Sequence, residues 1–265
     1  MSDYRFIGKS PFRKDALDKV TGAARYSGDF YADGMVYGKI VTSPYAHARI
    51  LSIDDSEAKK LPGYVGIVTG ADAPETRYGG YIRDRHILCK EIVRYVGDYV
   101  AVVCGTSEDI ANKAAALVQV EYEELPAVFD YNVAFKKDTP VMVHEDLFNY
   151  VGTGFQDRDI EEFGLSKERP NQFTTIHHEY GNVDEGFEKA DLVLENTYTF
   201  PLASHCTMET HQSVAIPEPD GSLTVYASAQ AGAQEKYDLA AALEIEPSKI
   251  HFHIPYVGGG FGAKT

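Results

Sequence analysis

The stretch Ile250-His251-Phe252-His253-Ile254-Pro255-Tyr256-Val257-Gly258-Gly259-Gly260-Phe261-Gly262-Ala263-Lys264-Thr265 reads as a β-strand running into a loop dense in glycine. Glycines directly after a strand let the backbone approach a ligand closely and turn its N–H groups outward as anion donors. A cofactor with phosphate or oxo groups suits such a loop. Upstream, Ala231 to Leu243 carries strong helix formers with apolar Leu239, Ala240 and Leu243, and Pro247 ends that element. Before it, Leu192 to Phe200, His211 to Ile216 and Ser222 to Ala227 alternate as strands, the last two joined by the hairpin signal Pro219-Asp220-Gly221. Asp184 to Ala190 reads as one or two helical turns. Strands mixed with helices in this way predict an α+β fold.

The first half has its own pattern. Gly34 to Thr42 and Ala48 to Ile53 are short strands separated by a Ser43-Pro44 breaker. Asp54-Asp55-Ser56 can cap a short helix over Glu57 to Leu61, and Tyr64 to Thr69 returns as a strand. Glu91 to Val96 and Asp98 to Cys104 are β-branched runs hinged at Gly97. Ser107-Glu108-Asp109 opens a helix over Ile110 to Leu117, and the strand Val118 to Glu123 follows. From Ala127 to Gly181 periodicity is weak, with Phe155 to Gln172 read as a surface excursion, so a boundary near residues 130–140 separates two domains, 1–135 and 136–265.

Composition excludes several partners. With a formal net charge of -15, from 40 acidic against 25 basic residues, the average surface repels phosphate backbones and anionic lipid, so neither nucleic acid nor a membrane surface is expected. Apolar runs such as Tyr99 to Cys104 are far shorter than the roughly 20 residues a spanning helix needs, and Met1 to Asp15 lacks an apolar signal core. Cytoplasmic residence is the expectation. Cys89, Cys104 and Cys206 lie far apart without a C-x-x-C pair, so cysteine spacing builds neither a zinc site nor an iron-sulfur cluster here. His205, Cys206 and His211 match no standard zinc pattern, and His251 and His253 share one strand face, so no metal ligand is assigned. Glu209 beside Met208 sits in an apolar neighbourhood that would push its carboxyl upward, unless a nearby cation pairs with it. No residue is assigned as catalytic.

Three readings of the glycine loop compete. A P-loop requires G-x-x-x-x-G-K-[ST], and Ala263 stands where its second glycine belongs. Gly258, Gly260 and Ala263 formally satisfy the dinucleotide fingerprint, but no following helix and acidic residue confirm it. In the third reading, GGGFGAK after a strand resembles the molybdopterin loop of the xanthine dehydrogenase and aldehyde oxidase family. Arg13 to Tyr26 (RKDALDKVTGAARY), Ser43 to Ile50 (SPYAHARI), Val93 to Asp98 (VRYVGD) and Val120 to Pro126 (VEYEELP) are similar to family landmarks in order. Gly181-Asn182-Val183-Asp184, His205 to His211 (HCTMETH) and Ser228-Ala229-Gln230 continue the series.

The resemblance implies an α/β hammerhead domain with an N-terminal arm over residues 1–135, followed by an incomplete molybdopterin-binding domain over 136–265. It places Gln230 at the glutamine whose amide hydrogen-bonds an oxo group on molybdenum, and Gly259, Gly260, Phe261, Gly262 and Ala263 in the loop beside the metal. Phe261 would face the ring of a planar substrate, with Thr265 close by. Purine-oxidising relatives often carry Glu or Gln where Thr265 stands, so the match does not extend to purine specificity. The implied reaction is hydroxylation of an N-heterocycle or an aldehyde with oxygen from water, electrons leaving through two [2Fe-2S] centres to FAD on partner subunits or domains. The more C-terminal family regions, which supply further cofactor contacts and the glutamate base, are absent from this sequence. The chain alone is therefore expected to be inactive, its C-terminal molybdopterin-binding half being either separate or missing, and to self-associate through uncovered apolar surface. The alternative is a non-catalytic assembly module derived from the family.

Overall fold

The β-branched runs of the first half pair into two antiparallel sheets. In this computed structural model, which describes residues 4–79, 82–145, 169–172 and 174–265, β1 (Tyr37–Thr42), β2 (Ala48–Asp54), β3 (Tyr64–Thr69), β4 (Ile92–Val93), β5 (Tyr99–Gly105) and β6 (Gln119–Glu124) form sheets ordered β1-β5-β3 and β4-β2-β6. Val100, Ala48 and Val93 are fully buried in one core cluster, and Val103, Ala58 and Ala114 in another. The Ser107 side chain accepts the Ile110 N–H at 3.3 Å, capping α2 (Glu108–Leu117), whose Ala114 packs against Val103. Gly97, at φ +98°, forms the hinge between β4 and β5. The expected helix over Glu57 to Leu61 is a single 3-10 turn, Ala58–Lys60.

In sequence between the strands of these sheets and the C-terminal elements, the described residues form two short helices, α3 (Tyr131–Ala134) and α4 (Val183–Glu188). Most of the excursion read over Phe155 to Gln172 lies outside the described residues. The expected strand Leu192 to Phe200 is a correction. Among the described residues the segment has no strand partner, and Leu192, Leu194, Tyr198 and Phe200 are all exposed. Its alternation marks a surface ready to be covered, and no neighbouring strand among the described residues covers it.

The third sheet comprises β7 (Ser213–Pro217), β8 (Leu223–Ala227) and β9 (Ile250–His253), with α5 (Gly232–Leu243) between the last two. β7 and β8 form the expected hairpin, turning through Gly221 at φ +80°, and β8 and β9 run parallel. The parallel pair requires a crossover, which α5 supplies. Val225, Ala240 and Ile250 form its core.

The chain divides into two compact units, one of Val36–Ala203 with Ala241–Glu244, the other of the described part of Met1–Met35 with Ser204–Ala240 and Ile245–Thr265. The N-terminal arm, attached to the first domain in the sequence reading, thus packs in the unit that holds the glycine loop. Three contacts account for this. Phe30 stacks on Tyr226 with ring centroids 4.0 Å apart, Tyr256 Oη donates to Asp18 Oδ2 at 2.5 Å, and Ser27 Oγ donates to Glu209 Oε1 at 3.2 Å. The arm carries the short helix α1 (Ala16–Thr21). Among the described residues no helix is long and apolar enough to cross a membrane.

Candidate functional site

Parallel strands deliver their following loops to the same edge of a sheet, which is where open sheets bind ligands. β8 ends into Ser228-Ala229-Gln230 and β9 leads into the glycine loop, so the topology brings Gln230 to that loop. The Gln230 Oε1 accepts the Gly262 N–H at 3.0 Å and the Lys264 N–H at 3.3 Å, and the Gln230 N–H donates to the Lys264 carbonyl at 2.7 Å. Backbone N–H groups can only donate, so the carboxamide oxygen is the pinned end and the NH2 is left out of these bonds. Among the described residues no acceptor meets that NH2, nor the N–H groups of Gly259, Gly260 and Phe261.

The loop conformation depends on its glycines. Gly259 and Gly262 have φ of +102° and +90°, and a Cβ on Gly260 would lie 2.3 Å from both Cδ and Oε1 of Gln230. Phe261 itself adopts φ +53°, and its ring, 73% exposed, leans over Gly259. Ala263 donates its N–H to the Gly260 carbonyl and accepts from His211 Nε2 at 2.7 Å. Thr265 is exposed, its hydroxyl donating to the Gly262 carbonyl at 3.1 Å. All six predicted cofactor residues, Gln230, Gly259, Gly260, Phe261, Gly262 and Ala263, together with Thr265, therefore belong to one local structure.

Beneath the loop lies an ion pair that the sequence reading left open. Lys264 and Glu209 are 0% and 7% exposed at the side chain and 3.1 Å apart. Burial pushes the Glu209 carboxyl up, but hydrogen bonds from Ser228, the Gly258 N–H and Lys264, with the lysine charge, outweigh it and bring the value to about 2. The upward shift expected from an apolar neighbourhood is thus corrected, and the cation is the loop's own lysine. Sequence reasoning missed the part Lys264, Ser228 and Ser27 play around Glu209; an acid beside Met208 was the available signal. Among the described residues no cluster of His, Cys, Asp and Glu is arranged to hold a metal ion. A cavity of about 520 Å³ elsewhere, in the larger unit, mixes Arg77, Arg85 and Arg94 with Asp84, Glu91 and Asp98, and none of the predicted site residues borders it.

Comparison with known proteins bears directly on this arrangement. Residues 21–126 match the aldehyde oxidase and xanthine dehydrogenase a/b hammerhead domain, and residues 165–265 match the molybdopterin cofactor-binding domain. The chain belongs to the xanthine dehydrogenase and aldehyde oxidase family. It is 33% identical to the xanthine dehydrogenase molybdenum-binding subunit of Escherichia coli O157:H7, over 95% of this chain and 32% of that protein. It is 31% identical to the nicotinate dehydrogenase large molybdopterin subunit of Eubacterium barkeri, over 99% of this chain and 56% of that protein. Among solved structures, quinoline 2-oxidoreductase of Pseudomonas putida 86 superposes with a TM-score of 0.77 at 30% identity, covering 97% of this chain and 31% of that one. The chain thus spans between about a third and just over half of these relatives. Its fold is the family's α+β hammerhead domain followed by part of the molybdopterin-binding domain.

Proposed function

We propose that this chain is the N-terminal portion of the molybdenum-cofactor subunit of a xanthine dehydrogenase-like hydroxylase, which adds oxygen from water to an N-heterocycle or an aldehyde. The observation that carries this reading is the pinned carboxamide: Gln230 Oε1 is occupied by two backbone N–H groups of the glycine loop, which leaves its NH2 as a donor without an acceptor among the described residues. The donor set fits a pterin-bound oxometal, since neutral N–H groups stabilise anionic oxygen without bringing an acidic proton to the site. A Cβ at Gly260 would fill the space that Gln230 takes up, so the cradle depends on glycine there.

When bound, the molybdenum–pterin group supplies two-electron redox chemistry and Lewis acidity. Gln230 would hold it through the NH2, with Gly259, Gly260, Gly262 and Ala263 forming the loop against it. Phe261, exposed at the crest of the loop, would orient a planar substrate by ring contact, with Thr265 nearby. The general base and the rest of the cofactor shell belong to regions the chain does not span. We infer partners that carry [2Fe-2S] centres and FAD, and cytoplasmic residence. The two domains are taken to meet near residue 135, between the two family matches.

Metal and pterin analysis of the native assembly purified with its partner chains tests the reading. Molybdenum and pterin at close to one per copy of the chain are expected, and their absence from an intact assembly would refute it.

A further inference from the structure

Lys264 is a fully buried cation at the edge of a loop otherwise made of small residues and one phenylalanine. Its ammonium donates to the Glu209 carbonyl at 2.8 Å, Glu209 Oε2 at 3.1 Å and Ser228 Oγ at 2.6 Å, which uses its full donor capacity. The backbone of the same residue grips Gln230 twice, donating its N–H to Oε1 and accepting the Gln230 N–H at its carbonyl. Glu209 also takes the Gly258 N–H at 2.7 Å. One buried ion pair therefore clamps both ends of the glycine loop, Gly258 and Lys264, and through Lys264 fixes which end of the Gln230 carboxamide faces out.

Stability alone is a weak explanation for this pair, because replacing a buried ion pair with apolar side chains is often neutral or stabilising. A loop with glycines at positive φ has little conformational preference of its own and needs an external hold. We propose that Glu209 and Lys264 form a latch that positions the glycine loop and the Gln230 carboxamide; they are positioning residues that touch neither cofactor nor substrate. The inference rests on the cofactor-facing reading of Gln230.

The test uses the assembled enzyme with Lys264→Met, which strands a buried carboxylate, and with the double variant Lys264→Met/Glu209→Gln, which removes the stranded charge. Hydrogen exchange of the 257–265 peptide, thermal midpoint, molybdenum content and turnover per bound molybdenum are measured. The double variant should recover the thermal midpoint, while exchange of the loop amides stays about tenfold or more faster than wild type and turnover per molybdenum stays about tenfold or more lower. Recovery of loop protection and turnover together with the midpoint would show a purely structural pair and overturn the latch. If Lys264→Met alone does not fold, the double variant decides. An assembly without molybdenum would defeat the functional reading, and loop exchange would still judge the latch.

Discussion

Gly260 is the residue at which sequence, space and chemistry meet most tightly. A methyl there would lie 2.3 Å from Cδ and Oε1 of Gln230, so the side chain must give up its bonds to the Gly262 and Lys264 N–H groups to make room. Gly260→Ala is therefore expected to leave the thermal midpoint within a few degrees of wild type while sharply reducing turnover of the assembled enzyme, a pairing read by calorimetry and kinetics. Glu209 gives a second expectation. Its folded value of about 2 lies below the ordinary 4.5, so its contribution to stability is complete above pH 4.5 and is lost as pH falls from there toward 2. Urea denaturation at pH 5 and pH 3 should show a drop in wild type that Glu209→Gln largely lacks. The loop and Gln230 were legible in the sequence because glycine spacing and a fixed order of short motifs mark them. The buried pair was not, since no local pattern says which lysine reaches an acid 55 positions away.

Several elements followed their sequence signals closely, while the strand expected over Glu91 to Val96 shrank to Ile92–Val93. Tyr64–Thr69 forms a strand over the residues its β-branched alternation suggests, and the helix at Glu108 starts where Ser107 with two acids announces it. Ser107→Ala removes the oxygen that holds the Ile110 N–H and should cost about 1 kcal/mol in equilibrium unfolding. Leu192 to Phe200 has an equally clear alternation and forms no strand, because a strand is a relation between two segments and propensity encodes one of them. The arm shows the same limit: Ser27, Phe30 and Asp18 carry no local mark of the distant residues they meet.

At the scale of the whole molecule, the exposed apolar side chains between Leu192 and Leu202 form a surface of a kind that soluble chains seldom leave open. The isolated chain is expected to self-associate despite its net charge of -15, and light scattering across a dilution series should show mass falling toward the monomer as protein is diluted. Replacing Leu192 and Leu194 with serine should shift that equilibrium toward monomer. The aromatic stack in the glycine-loop unit has an optical use. Tyr226 lies between Phe30 and His253, with centroids 4.0 and 5.1 Å away, and the protein contains no tryptophan. Phe30→Trp would install a single tryptophan, excited selectively over the tyrosines, whose emission, blue-shifted while the arm is docked and red-shifted on release, separates arm detachment from global unfolding in a single denaturant titration.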